Sequence, residues 1–502
     1  MNMTMIGAVA AVSLAVCGCQ GPKDAKALCA DYRELADARI AAIRATPNRA
    51  VPAGAPTYYL SAKTGDDAAD GRTPQTAWRT RDRLNREPLP AGAWVLFERG
   101  GVYRGTVKTR PGCTYTAYGE GPKPCVYGSP ENGADPAKWL KTDNPKVWAY
   151  QIGHNDVGTL VFNDGEAQAR KIVYRTDKKT GKKFSMATGK PFDSYRDLDH
   201  DLHFWHDYYK EGTGCVYLYS EENPGKRFKS IEFNVKCHGF ANGGNADVTI
   251  DNMCIKYVGV HGIGSGTCRG LHVTNCEFGW IGGSIQAEFL FGRNYPTQLG
   301  NAVEIYGGCD DYSVENCYIW QVYDAGVTHQ VGTDRRLDQK NVTYRGNVFE
   351  KCNYSIEYFL TLRNGKENPS TMENVLFEDN YMFDAGYGFC EQRPDRNEGA
   401  HIKSWGAGVN NRAKNYVIRN NVMIGAQDMI VQIGSLLKNH DGGTSLPRLE
   451  GNVFYGRVGQ QFGVISDQSN KRLKYGPETQ AFVDTFGPGN RCLFDSIPPA
   501  AK

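Results

Sequence analysis

Glu304, Asp324, Glu357 and Glu391 are acids at recurring places in the segments GNAVEIYGG, VYDAGVTHQVGTDRR, YSIEYFLTLR and YGFCEQRPDRNEGAHIKSW, with His329, Arg393, Lys403 and Trp405 close by in the chain. Two carboxyls facing each other across an acetal bond can divide the work of cleaving it, one held neutral as proton donor and one ionised as base or nucleophile. Asp324 with Glu357 or Glu304 supplies such a pair, and His329 could orient one of them or shuttle a proton. Glu391, Arg393, Lys403 and Trp405 would then hold the substrate. Acids facing water also keep a long sheet soluble, and an Asp before Ala-Gly also caps a turn, so the cluster rather than any single residue carries the reading.

A second chemistry is open to the same residues. Elimination beside a uronate carboxylate needs that carboxylate neutralised, by calcium or by arginine, and a base to remove the neighbouring proton. Arg393, Lys403, Arg363 and Arg335 could take such roles, but no tight run of acids offers six or more oxygens. A hydrolase requires no cofactor; calcium enters only with elimination.

Other clusters are weaker. In DLDHDLHFWHD, His200, His203 and His206 stand three apart among Asp197, Asp199, Asp201 and Asp207. Three-residue spacing on a strand sends neighbours to opposite faces, so the segment reads as a solvated loop and strand edge, and the metal content of the protein is left unknown. Asp66, Asp67 and Asp70 in TGDDAADG read as a structural turn.

The elements that must position these groups emerge from an internal repeat. Segments aligned on asparagine read VTIDNMCI, LHVTNCEF, YSVENCYI, VTYRGNVF, VLFEDNYM, YVIRNNVM and PRLEGNVF, anchored at Asn252, Asn275, Asn316, Asn347, Asn380, Asn421 and Asn452 at intervals of 23, 41, 31, 33, 41 and 31 residues. Each unit has a short alternating strand, the Asn turn and two further short strands, which is one coil of a parallel β-helix. Asparagine suits that turn because it tolerates left-handed backbone angles and can hydrogen-bond from coil to coil. Aligning the third strands sets Glu304, Thr328 and Glu357 at one level and His329, Tyr358 and Glu391 one residue further on. Val303, Ile305, Val327 and Ile356 look inward, so Glu304 and Glu357 point out, and His329 points in.

The segment YYLSAKTGDDAADGRTPQTAWRT, with LPAGAWVLFERGGVYRGTV and TYTAYGEGPKPCVYGS, resembles the first coils of secreted bacterial right-handed parallel β-helix proteins of the pectate-lyase-like superfamily. That resemblance implies an all-β solenoid and a carbohydrate-active enzyme acting on a polysaccharide or oligosaccharide; the near balance of charge, which gives no surface-wide grip on a polyanion, puts a hydrolase ahead of a lyase. A glycan-binding surface protein, stacking sugars on Trp280, Trp320 and Trp405, is the non-catalytic alternative. The Asn-x-Asp, Asp-Asp, Gly-His-Gly and Arg-x-Lys series of polygalacturonases is not reproduced; Val260-His261-Gly262 lacks its context.

The rest of the chain divides around this solenoid. Residues 1–19, MNMTMIGAVAAVSLAVCGC, are apolar, too short to span a bilayer and end like a bacterial lipobox, with Cys19 as the lipidated residue and Cys17 as alternative. The expected protein is an exported lipoprotein of the outer membrane, periplasm or cell surface, held at a membrane only by that lipid. Residues 20–56 form a helix and linker, 57–130 the first coils, 131–235 a β-rich insertion, 236–470 the main solenoid and 471–502 a C-terminal segment. The 58 glycines in 502 residues, about 12%, fit the turns of coils. A balance of 58 basic against 55 acidic residues gives no field for nucleic acid, and a monomer is expected. Most of the 15 cysteines read as buried thiols, with Cys113–Cys125 and Cys215–Cys237 as possible bridges.

Overall fold

Short strands pair in parallel with the equivalent strands of the neighbouring coils, and their sequence order shows how the chain winds. In the computed structural model, which describes residues 25–207, 214–287, 290–333, 335–362, 370–394, 398–404, 412–434, 446–457, 459–466 and 473–495, the first strand of each coil joins one sheet of ten strands. It runs from Thr57–Leu60 through Thr114–Tyr118, Val248–Asp251 and Cys309–Glu315 to Arg448–Glu450. The second and third strands stack in the same way, so the molecule is a parallel β-helix, all-β apart from short helices. No described helix is long and apolar enough to cross a membrane.

Alternation sets the interior. Val303, Val327, Ile356, Ile402 and Val431 lie in register on successive third strands and are all fully buried. Removing each from water contributes roughly 1.5–3 kcal/mol.

The asparagine repeat resolves into two adjacent columns, which corrects the single anchor read from sequence. Asn252, Asn275, Asn316, Gly346, Asp379, Asn420, Gly451 and Gly489 share one position, each with φ between 51° and 79°. The next residue forms the buried ladder. Asn347, Asn380, Asn421 and Asn452 each donate backbone and side-chain N–H groups to the Oδ1 of the next coil's asparagine, ending at Asn490, at 2.8–3.1 Å. In the earlier coils Met253, Cys276 and Cys317 occupy this ladder position. One residue type serves both columns, which is why an alignment on asparagine slips by one residue between Asn316 and Asn347.

The thirteen described cysteines are free. Cys113 and Cys125 do not bridge; Cys125 lies in register with Cys254. Cys215 and Cys237 contact different carbonyls, those of Val216 and Gly128.

Two additions flank the coils. The helix Ala25–Arg44 buries Ala36, Ile40 and Ile43 against Tyr318, Val348 and Phe383 on the outer face of the second-strand sheet. Arg44 and Arg33 pair with Glu277 and Glu350, both at 2.9 Å. Between Tyr127 and Phe240 the chain leaves the solenoid, yet Thr114–Tyr118 pairs directly with Val248–Asp251, so the ladder is unbroken. Part of this excursion forms a five-stranded sheet of Arg170–Lys171, His203–His206, Cys215–Tyr219, Val147–Gln151 and Leu140–Lys141. Val157–Phe162 and Ile231–Val235 instead pair with each other and extend a solenoid sheet.

The two columns should respond differently to mutation. Asn421→Ala, which orphans two buried donors of Asn380, should lower stability by about 2–4 kcal/mol in urea denaturation. Asn420→Gly, at a left-handed position, should stay within about 1 kcal/mol of the parent.

Candidate active site

Gly264, Glu304, Thr328, Glu357, Lys403 and Gln432 occupy one position on six successive third strands. Their strand neighbours fill the core, so these side chains form the outward column expected for Glu304, Thr328 and Glu357. Rungs are about 4.8 Å apart, which puts Glu304 and Glu357 about 10 Å apart along the backbone.

Glu304 is the most heavily supported acid. Asn301 donates from Nδ2 to Glu304 Oε2 at 2.7 Å. His261 Nδ1 accepts the Asn301 N–H at 3.0 Å, which leaves its proton on Nε2, 2.8 Å from the same Oε2. Burial pushes the Glu304 carboxyl up, but the electrostatic pull and hydrogen bond of the His261 Nε2–H, together with Asn301, hold it below the ordinary glutamate value. His261 and Asn301 hold the same place in adjacent coils, as does His238 one coil earlier. His238 stacks on His261 with centroids 5.3 Å apart, and burial pushes it down to about 4. Gly264 provides the space for this stack: a Cβ there would lie 2.6 Å from His238 Nδ1. His238, Ala241, His261, Gly264, Ser265 and Glu304 border an open cavity of about 270 Å³.

A second group surrounds Glu357. Asp324 pairs with Arg393 at 2.7 Å, and its backbone N–H is held by Gly300 O. Arg393 also donates to Tyr323 O and lies over the Tyr323 ring. Lys403, in the rung after Glu357, bonds Glu398 at 3.2 Å and Gln432, and its ammonium sits 5.5 Å from the Tyr354 ring centre. Tyr354, in register with Ala325, is buried, and its hydroxyl is pushed far up by burial. The turn carrying Arg393 is tied on two sides: Phe389 N–H donates to Gln321, and Gln392 bonds Lys171 N–H and Ala169 O.

Three expectations need correction. Glu391 lies exposed in the 3₁₀ turn Gly388–Gln392, and Ser404 takes the rung beside Tyr358. His329 points into the core, where Nδ1 meets the Tyr344 hydroxyl at 2.9 Å; burial pushes it down to about 3, so it stays neutral and out of reach of the groove. Trp280 is buried against Phe389, and Trp320 stacks on Tyr318 on the face carrying the N-terminal helix, so neither is offered to a sugar. Tyr306, two residues beyond Glu304 on the outward side, is instead 42% exposed. Trp405 and Cys19 lie outside the described residues.

His238, Asn301, Tyr354 and Glu398 were missed by the sequence reading, which met His261 only as a motif without its context. A signal was present: CHGF and VHGI repeat a His-Gly-apolar triplet at the 23-residue interval that also separates Asn252 from Asn275.

No family model matches the chain, and no curated protein matches it. Similar solved structures include XylC in complex with xylose, at 11% identity and TM-score 0.48, covering 88% of this chain and 76% of that one. The GH136 lacto-N-biosidase from Eubacterium ramulus is 13% identical with TM-score 0.35, over 88% of this chain and 68% of that one. An alginate lyase from Paenibacillus sp. str. FPU-7 is 12% identical with TM-score 0.33, over 75% and 85%.

A depressed carboxyl adds stability above its unfolded pKa and loses that contribution as pH falls through the folded value. Removing His261 leaves only Asn301 to oppose burial at Glu304. His261→Ala should therefore shift the onset of acid destabilisation to higher pH, read from urea midpoints between neutral pH and about 3.

Proposed function

We propose that the protein is a carbohydrate-active enzyme that hydrolyses glycosidic bonds of an extended polysaccharide or oligosaccharide lying along the third-strand sheet. The observation that carries this reading is Glu304, outward on the groove, opening to a cavity and held ionised by His261 and Asn301. In this reading Glu304 takes a proton from water as the water oxygen bonds the anomeric carbon. Glu357, two rungs away, gives a proton to the departing oxygen. Glu357 is buried, and Lys403 in the next rung bonds Glu398 and Gln432. The backbones lie about 10 Å apart, so the two carboxyls need lean only slightly toward each other to enclose a water between them.

Asp324 serves this site as an anchor for Arg393 rather than as the acid. Arg393 and Lys403 are already paired with acids, which favours hydrolysis over elimination: Arg393 is engaged by Asp324 rather than offered to a uronate. Export and tethering through Cys19 complete the proposal.

A panel of neutral and acidic glycans should be screened together for new reducing ends and for unsaturated products absorbing in the near ultraviolet. Reducing ends without that absorbance are expected on at least one glycan. Glu304→Gln and Glu357→Gln should each lower kcat by about 10²–10⁴ with a much smaller change in KM. Full turnover in either variant removes the assignment, and unsaturated product replaces it with elimination.

A further inference from the structure

Between Asp197 and Asp207 the chain carries seven ionisable side chains, and the structure gives most of them separate tasks. Asp197 accepts the N–H groups of Asp193 and Ser194 at the start of its turn. Asp201 binds Arg227 through both oxygens at 2.6 and 2.7 Å. His206 is buried 3.5 Å from Asp156, which is itself paired with Lys171. Asp207 is also buried. Asp199, His200 and His203 remain, and their donor atoms converge within 4.8 Å of one another at the surface.

We propose that Asp199, His200 and His203 form a binding site for a late first-row divalent transition metal ion such as zinc. It is independent of the chemistry in the groove. The convergence arises where strand alternation has not yet begun. His200 precedes the strand His203–His206, and the connecting turn closes through His203 N–H to His200 O at 3.0 Å, with Leu202 at φ 59°. The two rings therefore stack, with centroids 4.8 Å apart and planes 25° from parallel. From His203 onward alternation holds, and His206 faces the other way.

The donor chemistry fits. His200 Nδ1 lies 2.5 Å from Asp199 Oδ1, a contact now bridged by a proton whose place between the two groups an ion would take. No described residue hydrogen-bonds the His203 ring. Lys190 neutralises Asp199 from the other oxygen, but that lysine is 63% exposed and can give way to a cation at small loss. Two imidazoles and one carboxylate suit zinc, nickel or copper; calcium and magnesium prefer shells made of oxygen. A bound ion would tie the turn before His203 to the strand His203–His206 of the five-stranded sheet, with positions left for water.

The test is calorimetric titration of untagged, chelator-treated full-length protein with zinc chloride. Binding of about one equivalent with a micromolar dissociation constant is expected, with His200→Ala and His203→Ala each weakening it about 10–100-fold. His272→Ala, removing a half-buried imidazole on the ten-stranded sheet, should leave it unchanged, and Lys190→Gln should tighten it. Absence of zinc binding up to about 1 mM, or binding that survives His203→Ala undiminished, overturns the site.

Discussion

Everything in this molecule depends on the register of the parallel ladder. Each residue of a coil sits over its equivalent about 4.8 Å away, so chemistry is written down a column rather than along a segment. Glu304 and Glu357 are 53 positions apart in the chain but two rungs apart in space. The same constraint lets His261 serve a residue it does not neighbour in sequence. Its own coil has Gly264 in the outward position, and the imidazole reaches past that gap to the carboxylate of the following coil. The excursion between Tyr127 and Phe240 obeys the rule as well, because it leaves and re-enters at turns without disturbing the pairing of Thr114–Tyr118 with Val248–Asp251.

The buried turn column is solved in two chemically different ways. From Asn347 to Asn490, amides hydrogen-bond end to end, and every buried donor in that row finds an oxygen. In the earlier coils Met253, Cys276 and Cys317 fill the position by burial, and the Cys276 N–H meets the Cys317 sulfur at 3.4 Å. One end of the solenoid thus gains specificity from directional bonds, and the other accepts softer, less directional packing.

Periodicity made the fold and the outward column legible in sequence. Both are local consequences of alternation and of a turn that recurs, and the placement of Glu304, Thr328 and Glu357 follows from them. What was hidden depends on how coils meet. Asparagine marks both the left-handed residue and the ladder residue, so spacing alone could not separate them. Glu391 looked like a strand residue because its segment has the right composition, but the Gly388–Gln392 turn takes it out of register. The Asp324–Arg393 pair joins residues from different coils through a turn anchored partly on the insertion, a contact that no single segment announces. His238 and His261 carried a repeated signal, yet their meaning appears only when Glu304 arrives from the next coil.

The N-terminal helix changes the mechanics of this architecture. In a solenoid each coil holds only its neighbours, so disruption at one end can travel inward one coil at a time. The helix lies across the stack, with Arg44 fastened to Glu277 and Arg33 to Glu350, acids separated by two rungs of the second-strand sheet. Coils that would otherwise open in series must there open together. A chain drawn apart along its long axis would meet a block of shared resistance in the middle, beside the coils that carry the groove, rather than a uniform zipper.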